Sequence, residues 1–170
     1  MIPALKSDTI TAIATARGLG GIGIIRISGN RSLDILSSIF QRKAQKKPDA
    51  RPVNFIRRRL EHGWALDASG KVLDEVLAVY MPGPHTFSGE DVAEIHCHGG
   101  RAILDAVLES VLSRGSRLAE PGEFTRRAYL NGRLDLSQSE AVAEMIAAPT
   151  LQGVYLARNK LEGRLGRTLG

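Results

Sequence analysis

The sequence predicts an α+β fold, with a mixed or antiparallel sheet, two helices packed on it, and an α-helical segment after it. Three observations carry that expectation. Short runs rich in β-branched and apolar residues, such as Ile22 to Ser28 (IGIIRIS) and Val72 to Met81, have the length and composition of strands. Two stretches, Ser32 to Phe40 and Arg101 to Arg114, repeat apolar residues at helical spacing. Beyond residue 118 only helical patterns remain. The expected division is therefore an α+β domain over residues 1–118 and the beginning of a helical domain over residues 119–170.

In chain order, Thr9 to Thr15 alternates small polar and apolar residues and reads as a strand. A glycine-rich turn at 17–21 joins it to the strand Ile22–Ser28. Gly29-Asn30 breaks that strand, and the amphipathic helix 32–40 follows. Residues 43–52 form a polar loop, after which Val53 to Leu66 and Val72 to Met81 frame Asp67-Ala68-Ser69-Gly70 as a hairpin. Pro82-Gly83-Pro84 opens a loop to Asp91, and Val92 to His98 is a short strand. The helix 101–114 is expected to stop at Gly115. Glu123 to Leu130 comes after a polar loop. Ser137 and Glu140 have the spacing of a capping box for a helix over 141–148. Pro149 should end that helix before a second helical stretch from Thr150 to Leu165.

Composition narrows the classes. A hydrophobic fraction of 43% with 24% charged residues of both signs describes a folded chain rather than a disordered one. The single cysteine, Cys97, has no internal partner for a disulfide and no CxxC companion for zinc, which suits a reducing compartment. Met1 to Asp8 lacks the pattern of a secretory signal, and no apolar run reaches the roughly 18 residues of a membrane span. A soluble, cytoplasmic protein is expected, with no membrane association. The formal charge is +5. Much of it lies in Arg42, Lys43, Lys46, Lys47, Arg51, Arg57, Arg58 and Arg59, which form either a solvated loop and strand or a contact for a phosphate backbone.

Several residues stand out chemically. The glycine loop at 18–23 (GLGGIG) lacks the Lys-Ser/Thr of a P-loop and leads into a strand, so it is a tight turn or a backbone approach to a ligand. Arg26 sits among isoleucines in a strand, where a guanidinium needs a partner. Glu94 is a lone carboxylate in the strand Val92-Ala93-Glu94-Ile95. By alternation Val92, Glu94, His96 and His98 share one face, and Ala93, Ile95 and Cys97 the other. The polar face is either a solvated surface with a structural Arg–Glu pair or the wall of a pocket. His96-Cys97-His98 is no metal tract, because the cysteine points away from the histidines and no second ligand cluster exists in the sequence. No metal ligand and no catalytic residue is assigned. Asn131-Gly132-Arg133-Leu134-Asp135-Leu136 reads as a turn and a helix entry.

Six blocks then line up: Asp8-Thr9-Ile10 with Ala12-Ile13-Ala14-Thr15, Gly20-Gly21-Ile22-Gly23 with Arg26-Ile27-Ser28-Gly29, Phe87-Ser88-Gly89-Glu90-Asp91-Val92, Glu94 with His98-Gly99-Gly100, Pro121-Gly122-Glu123-Phe124, and Asn131 to Leu136. Their order and spacing resemble the amino-terminal part of the MnmE (TrmE) family of bacterial tRNA-modification GTPases. The resemblance implies an aminomethyltransferase-like domain that binds 5-formyltetrahydrofolate and mediates homodimerisation, followed by a helical domain into which a GTPase domain is inserted. It implies a role in forming 5-carboxymethylaminomethyluridine at the tRNA wobble position, together with a flavin-dependent partner of the MnmG (GidA) family. The family's folate-contacting positions fall on Arg26, Glu94 and Arg133. One carboxylate can accept both the ring N–H and the exocyclic amine of a pterin, while the two arginines suit carbonyl, formyl or tail oxygens.

The sequence departs from the family at Ala16-Arg17, where a proline pair is usual, at Leu19, and at Pro149. It contains neither G-x-x-x-x-G-K-[ST] nor NKxD, which Asn159-Lys160-Leu161-Glu162 only mimics. GTP, Mg and K are therefore expected only of a GTPase domain absent from these residues. Two alternatives stay open: a stand-alone folate-dependent one-carbon transferase, and a basic tRNA-binding module.

Overall fold

The computed structural model describes residues 8–16, 18, 20–43 and 54–162. They fall into two compact units, Met1–Thr86 with Glu90–Pro121, and Phe87–Gly89 with Gly122–Gly170.

The first unit is a seven-stranded mixed sheet with two helices. The strands are β1 (Ile10–Ile13), β2 (Ile22–Ser28), β3 (Phe40–Arg42), β4 (Glu61–Leu66), β5 (Val72–Met81), β6 (Val92–His98) and β7 (Arg117–Leu118). Their order across the sheet is β3-β4-β5-β6-β2-β1-β7, antiparallel throughout except for the parallel β1–β7 pair at one edge. Helices α1 (Ser32–Ile39) and α2 (Arg101–Ser113) bury their apolar stripes on one face. There Ile35, Leu36 and Ile39 of α1 and Leu104, Val107 and Val111 of α2 meet the inward residues Ile25, Ile27, Val76, Ala78, Ala93 and Ile95. Each large aliphatic side chain so buried contributes about 1.5–3 kcal/mol before entropy is counted. Both helices of this unit lie on that core face. The other face carries Arg26, Glu94 and His96.

Local chemistry explains most boundaries. Gly115, at φ +98, follows the end of α2, and its N–H reaches the Leu112 carbonyl at 3.0 Å. The β4–β5 hairpin closes on Asp67, whose Oδ1 accepts from the backbone N–H of Ser69 and of Lys71 at 2.8 and 2.9 Å. At Gly23 α2 packs close on β2, since a Cβ there would come within 2.5 Å of the Leu104 side chain.

The structure corrects three expectations and adds one strand. The strand expected from Val53 begins only at Glu61. Residues 54–60 form a turn instead, in which Arg58 takes φ 59 and its N–H bonds the Tyr80 carbonyl at 2.8 Å. Phe40 does not end α1 but opens β3, pairing with Ala65. Arg117–Leu118, for which the sequence predicts no element, adds an edge strand to β1. The capping box belongs to Asp135 and Gln138 rather than Ser137 and Glu140, because the helix starts at Leu136, earlier than the apolar pattern.

The second unit contains α3 (Glu123–Leu130), α4 (Leu136–Ala147) and α5 (Leu151–Leu161). Pro149 separates α4 from α5, and Thr150 caps α5 by accepting from the Gly153 N–H. The two helices form a hairpin with Ala141 and Ala157 buried, tied by Lys160 to Glu144 and by Gln138 to the Leu161 carbonyl. Large apolar residues remain exposed on it, including Ile146, Leu151, Tyr155 and Leu156. No helix among the described residues is long and apolar enough to cross a membrane.

Candidate functional site

The sheet register puts Arg26 of β2 directly opposite Glu94 of β6. Cross-strand partners share a face, so the two side chains meet, with Arg26 Nε donating to Glu94 Oε1 at 2.8 Å. Beneath them the neighbours Ile25, Ile27, Ala93 and Ile95 are locked into the core, which fixes both backbones. Val79 of β5 lies opposite Glu94 on its other side, and Ala12 of β1 opposite Arg26. The pair is half-sunk, with side-chain exposures of 32% for Arg26 and 15% for Glu94. His96, two residues along β6, brings Nε2 to 3.3 Å from Glu94 Oε2. Each carboxylate oxygen thus has one neighbour. An ionised carboxylate offers about four acceptor sites, so both oxygens retain capacity for further donors.

Two more imidazole–carboxylate pairs lie on this sheet. His98 Nδ1 is 2.7 Å from Asp74 Oδ1, while the His98 backbone N–H donates to Asp74 Oδ2 at 2.8 Å. The hydrogen bond to Asp74, reinforced by its charge, raises the His98 pKa above the ordinary histidine value. His62 Nε2 approaches Glu75 Oε1 at 2.6 Å, and Lys43 reaches the same oxygen. Hydrogen bonds from Lys43 and His62 hold the Glu75 carboxyl below its usual range. A shallow cleft of about 550 Å³ runs past Ile22, His62, Leu77, His96 and His98. Cys97 faces the other way, is buried, and has its thiol pushed up to about 12 by burial first and by Asp74 second.

The loop after β5 is fastened to the sheet. Asp91 accepts from the Tyr80 hydroxyl and the Gly83 N–H, and Ser28 Oγ donates to Glu90 Oε2 at 2.7 Å. Burial, then the bond to Asp91, pushes the Tyr80 phenol to about 12. Arg58 Nη2 donates to the carbonyls of Pro82 and His85 at 3.2 and 2.7 Å. Of the basic stretch, Lys46, Lys47 and Arg51 lie outside the described residues, as do Arg17 and Leu19 of the glycine loop. Among those described, Arg42 is turned inward to Glu61 and the Asn54 carbonyl.

The structure therefore joins Arg26 and Glu94. Arg133 lies in the second unit, two residues past the C-cap of α3. Asn131 caps that helix, Gly132 is left-handed at φ 68, and the N–H groups of Gly132 and Arg133 return to the carbonyls of Tyr129 and Ala128 at 3.0 and 2.8 Å. This is a Schellman closure, and it fixes where the Arg133 side chain leaves the backbone. Sequence reasoning did not pair His96 with Glu94 or place Asp74 behind His98. Alternation put both histidines on the correct face, but the partner strand and register were not legible.

A mixed sheet backed by two helices, with an ion pair on the face away from them and a helical hairpin following in sequence, makes this an α+β protein. Residues 9–133 match the family model described as the GTP-binding protein TrmE N-terminus, and the chain belongs to that family. Its relatives include proteins described as "tRNA modification GTPase MnmE". That of Nitratidesulfovibrio vulgaris strain DP4 is 57% identical over 163 residues, covering 96% of this chain and 34% of the relative. Those of Lawsonia intracellularis and Alkaliphilus metalliredigens are 52% and 49% identical over 162 residues, covering 95% and 94% of this chain and again 34% of each relative. The chain thus spans about a third of the length of the curated relatives it matches.

Proposed function

We propose that this chain is the folate-binding, dimerising part of a cytoplasmic tRNA-modification GTPase, and that Arg26, Glu94 and Arg133 contact 5-formyltetrahydrofolate. The observation that carries the proposal is the Arg26–Glu94 pair, held in register at 2.8 Å on the sheet face away from α1 and α2. Glu94 accepts the paired N–H donors of the pterin edge, for which both oxygens keep lone pairs. Arg26 and Arg133 donate to the oxygens of the ligand. The bound folate supplies the one-carbon unit for wobble-uridine modification. In that reaction the full-length protein works as a homodimer with a flavin-dependent subunit of the MnmG family on tRNA. GTP, Mg and K belong to the GTPase domain.

The relatives' printed name, tRNA modification GTPase, supports the tRNA-modification part of this reading. The stand-alone transferase reading gains nothing from the site, which presents no acid or base assigned to a one-carbon position. The basic-module reading loses ground because Arg42 and Arg58 spend their guanidinium groups on intramolecular bonds.

Calorimetric titration of the chain with 5-formyltetrahydrofolate, alongside light scattering for its mass, tests the proposal. Saturable binding by a dimer, abolished by Glu94→Ala, is the expected result. A folded chain that gives no heat of binding would overturn the folate assignment.

A further inference from the structure

Two of the blocks that carry the family resemblance, Phe87 to Val92 and Asn131 to Leu136, touch through Ser88 and Asn131, which are 43 residues apart in the sequence. Ser88 is buried, and its carbonyl accepts from Asn131 Nδ2 at 2.8 Å. Gly89 has φ +79, and a Cβ built on it would stand 2.9 Å from Asn131 Cβ and 3.0 Å from Arg133 Cγ. Glycine is therefore required twice at this position, once by the left-handed backbone and once by the space. All of these residues belong to the same unit.

We infer that Ser88, Gly89 and Asn131 form a clasp that positions Arg133 for its ligand. The Schellman closure sets the Arg133 backbone, and the bare backbone of Gly89 forms a wall against the Arg133 stem at Cγ. The root and stem of the side chain are thus held by the backbone around them. An arginine so pre-organised loses less rotamer freedom on binding than one on an open surface. These three are positioning residues, since none of them is assigned a contact with the ligand. The inference rests on the folate reading and adds the element that prepares its second arginine.

The test is a double-mutant cycle on the full 170-residue chain, titrated calorimetrically with 5-formyltetrahydrofolate. Asn131→Ala and Gly89→Ala should each weaken binding about tenfold, as expected when a charge-assisted contact is misplaced rather than removed. In an Arg133→Ala background neither change should weaken it further. Affinity unchanged in both single variants, or the same loss persisting without Arg133, would overturn the clasp while leaving the folate reading intact. Absence of binding by the wild type would overturn both. Circular dichroism checks each fold. If Gly89→Ala does not fold, Asn131→Ala, which removes only the donor to the Ser88 carbonyl, decides alone.

Discussion

Replacing Glu94 by Gln separates a structural role from a binding one, because the two roles respond to different parts of the change. Glutamine keeps the size of the side chain and one carbonyl oxygen, so Arg26 Nε can still donate where it now reaches Glu94 Oε1 at 2.8 Å. Only the ionic share of that contact is lost. With the Arg26 side chain 32% exposed, that share is screened and is worth about 0–1 kcal/mol. The fold should barely notice.

A pterin edge notices more. A carboxylate accepts both of its adjacent donors, whereas an amide accepts one and turns its own N–H₂ toward the other. Losing one charge-assisted hydrogen bond and facing donor to donor costs about 2–4 kcal/mol, or roughly 30- to 1,000-fold in affinity. Urea denaturation and calorimetric titration of the same preparations read the two numbers independently. The expected pattern is a stability change below about 1 kcal/mol with a loss of at least 30-fold in folate affinity. The reverse pattern, affinity within twofold and stability down by more than about 2 kcal/mol, would show that Glu94 serves the sheet and that the ligand binds elsewhere.

Two further perturbations address the scaffold. Arg58 holds φ 59 without being glycine while its guanidinium bonds two carbonyls of the following loop. Arg58→Ala should therefore destabilise the protein more than Arg58→Gly, by about 1 kcal/mol in denaturant unfolding, and equal losses would refute the backbone argument. His98 has its pKa raised by Asp74. Its contribution to stability is fully present below the unfolded histidine value and fades as pH rises through the raised folded one. The NMR titration of His98 should move down toward the ordinary value in Asp74→Asn, whose stability should lose that pH dependence. An unmoved titration would sink the pairing.

How much of this was legible in the sequence depended on whether the signal was local. Alternation along Val92–His98 set the buried Ala93, Ile95 and Cys97 apart from the more exposed Glu94, His96 and His98, although Val92, grouped with the latter, is buried too. The α2 stripe and its Gly115 stop were equally plain. Failures came where a distant partner decides. Arg117–Leu118 is a strand only because β1 offers an unpaired edge, with the Arg117 N–H bonding the Thr9 carbonyl. Asn54 to Leu60 has strand composition, but its backbone is diverted where Arg58 turns left-handed and bonds Tyr80. Asp135 displaced Ser137 as the cap because the true helix start precedes the apolar run.

The site itself belongs to this second kind of information. Arg26 and Glu94 are each odd alone, a charge in an apolar strand, and nothing local says that they meet. They meet because Ile25 must face Ile95, and Ile27 must face Ala93, for the core side of β2 and β6 to pack under α1 and α2. A slip of one residue would carry Arg26 into the core and Ile25 onto the opposite face, at a cost no ion pair could offset. The hydrophobic pattern on one face thus fixes the registration of the charges on the other. The packed side of the sheet is what holds Arg26 and Glu94 at bonding distance before any ligand arrives.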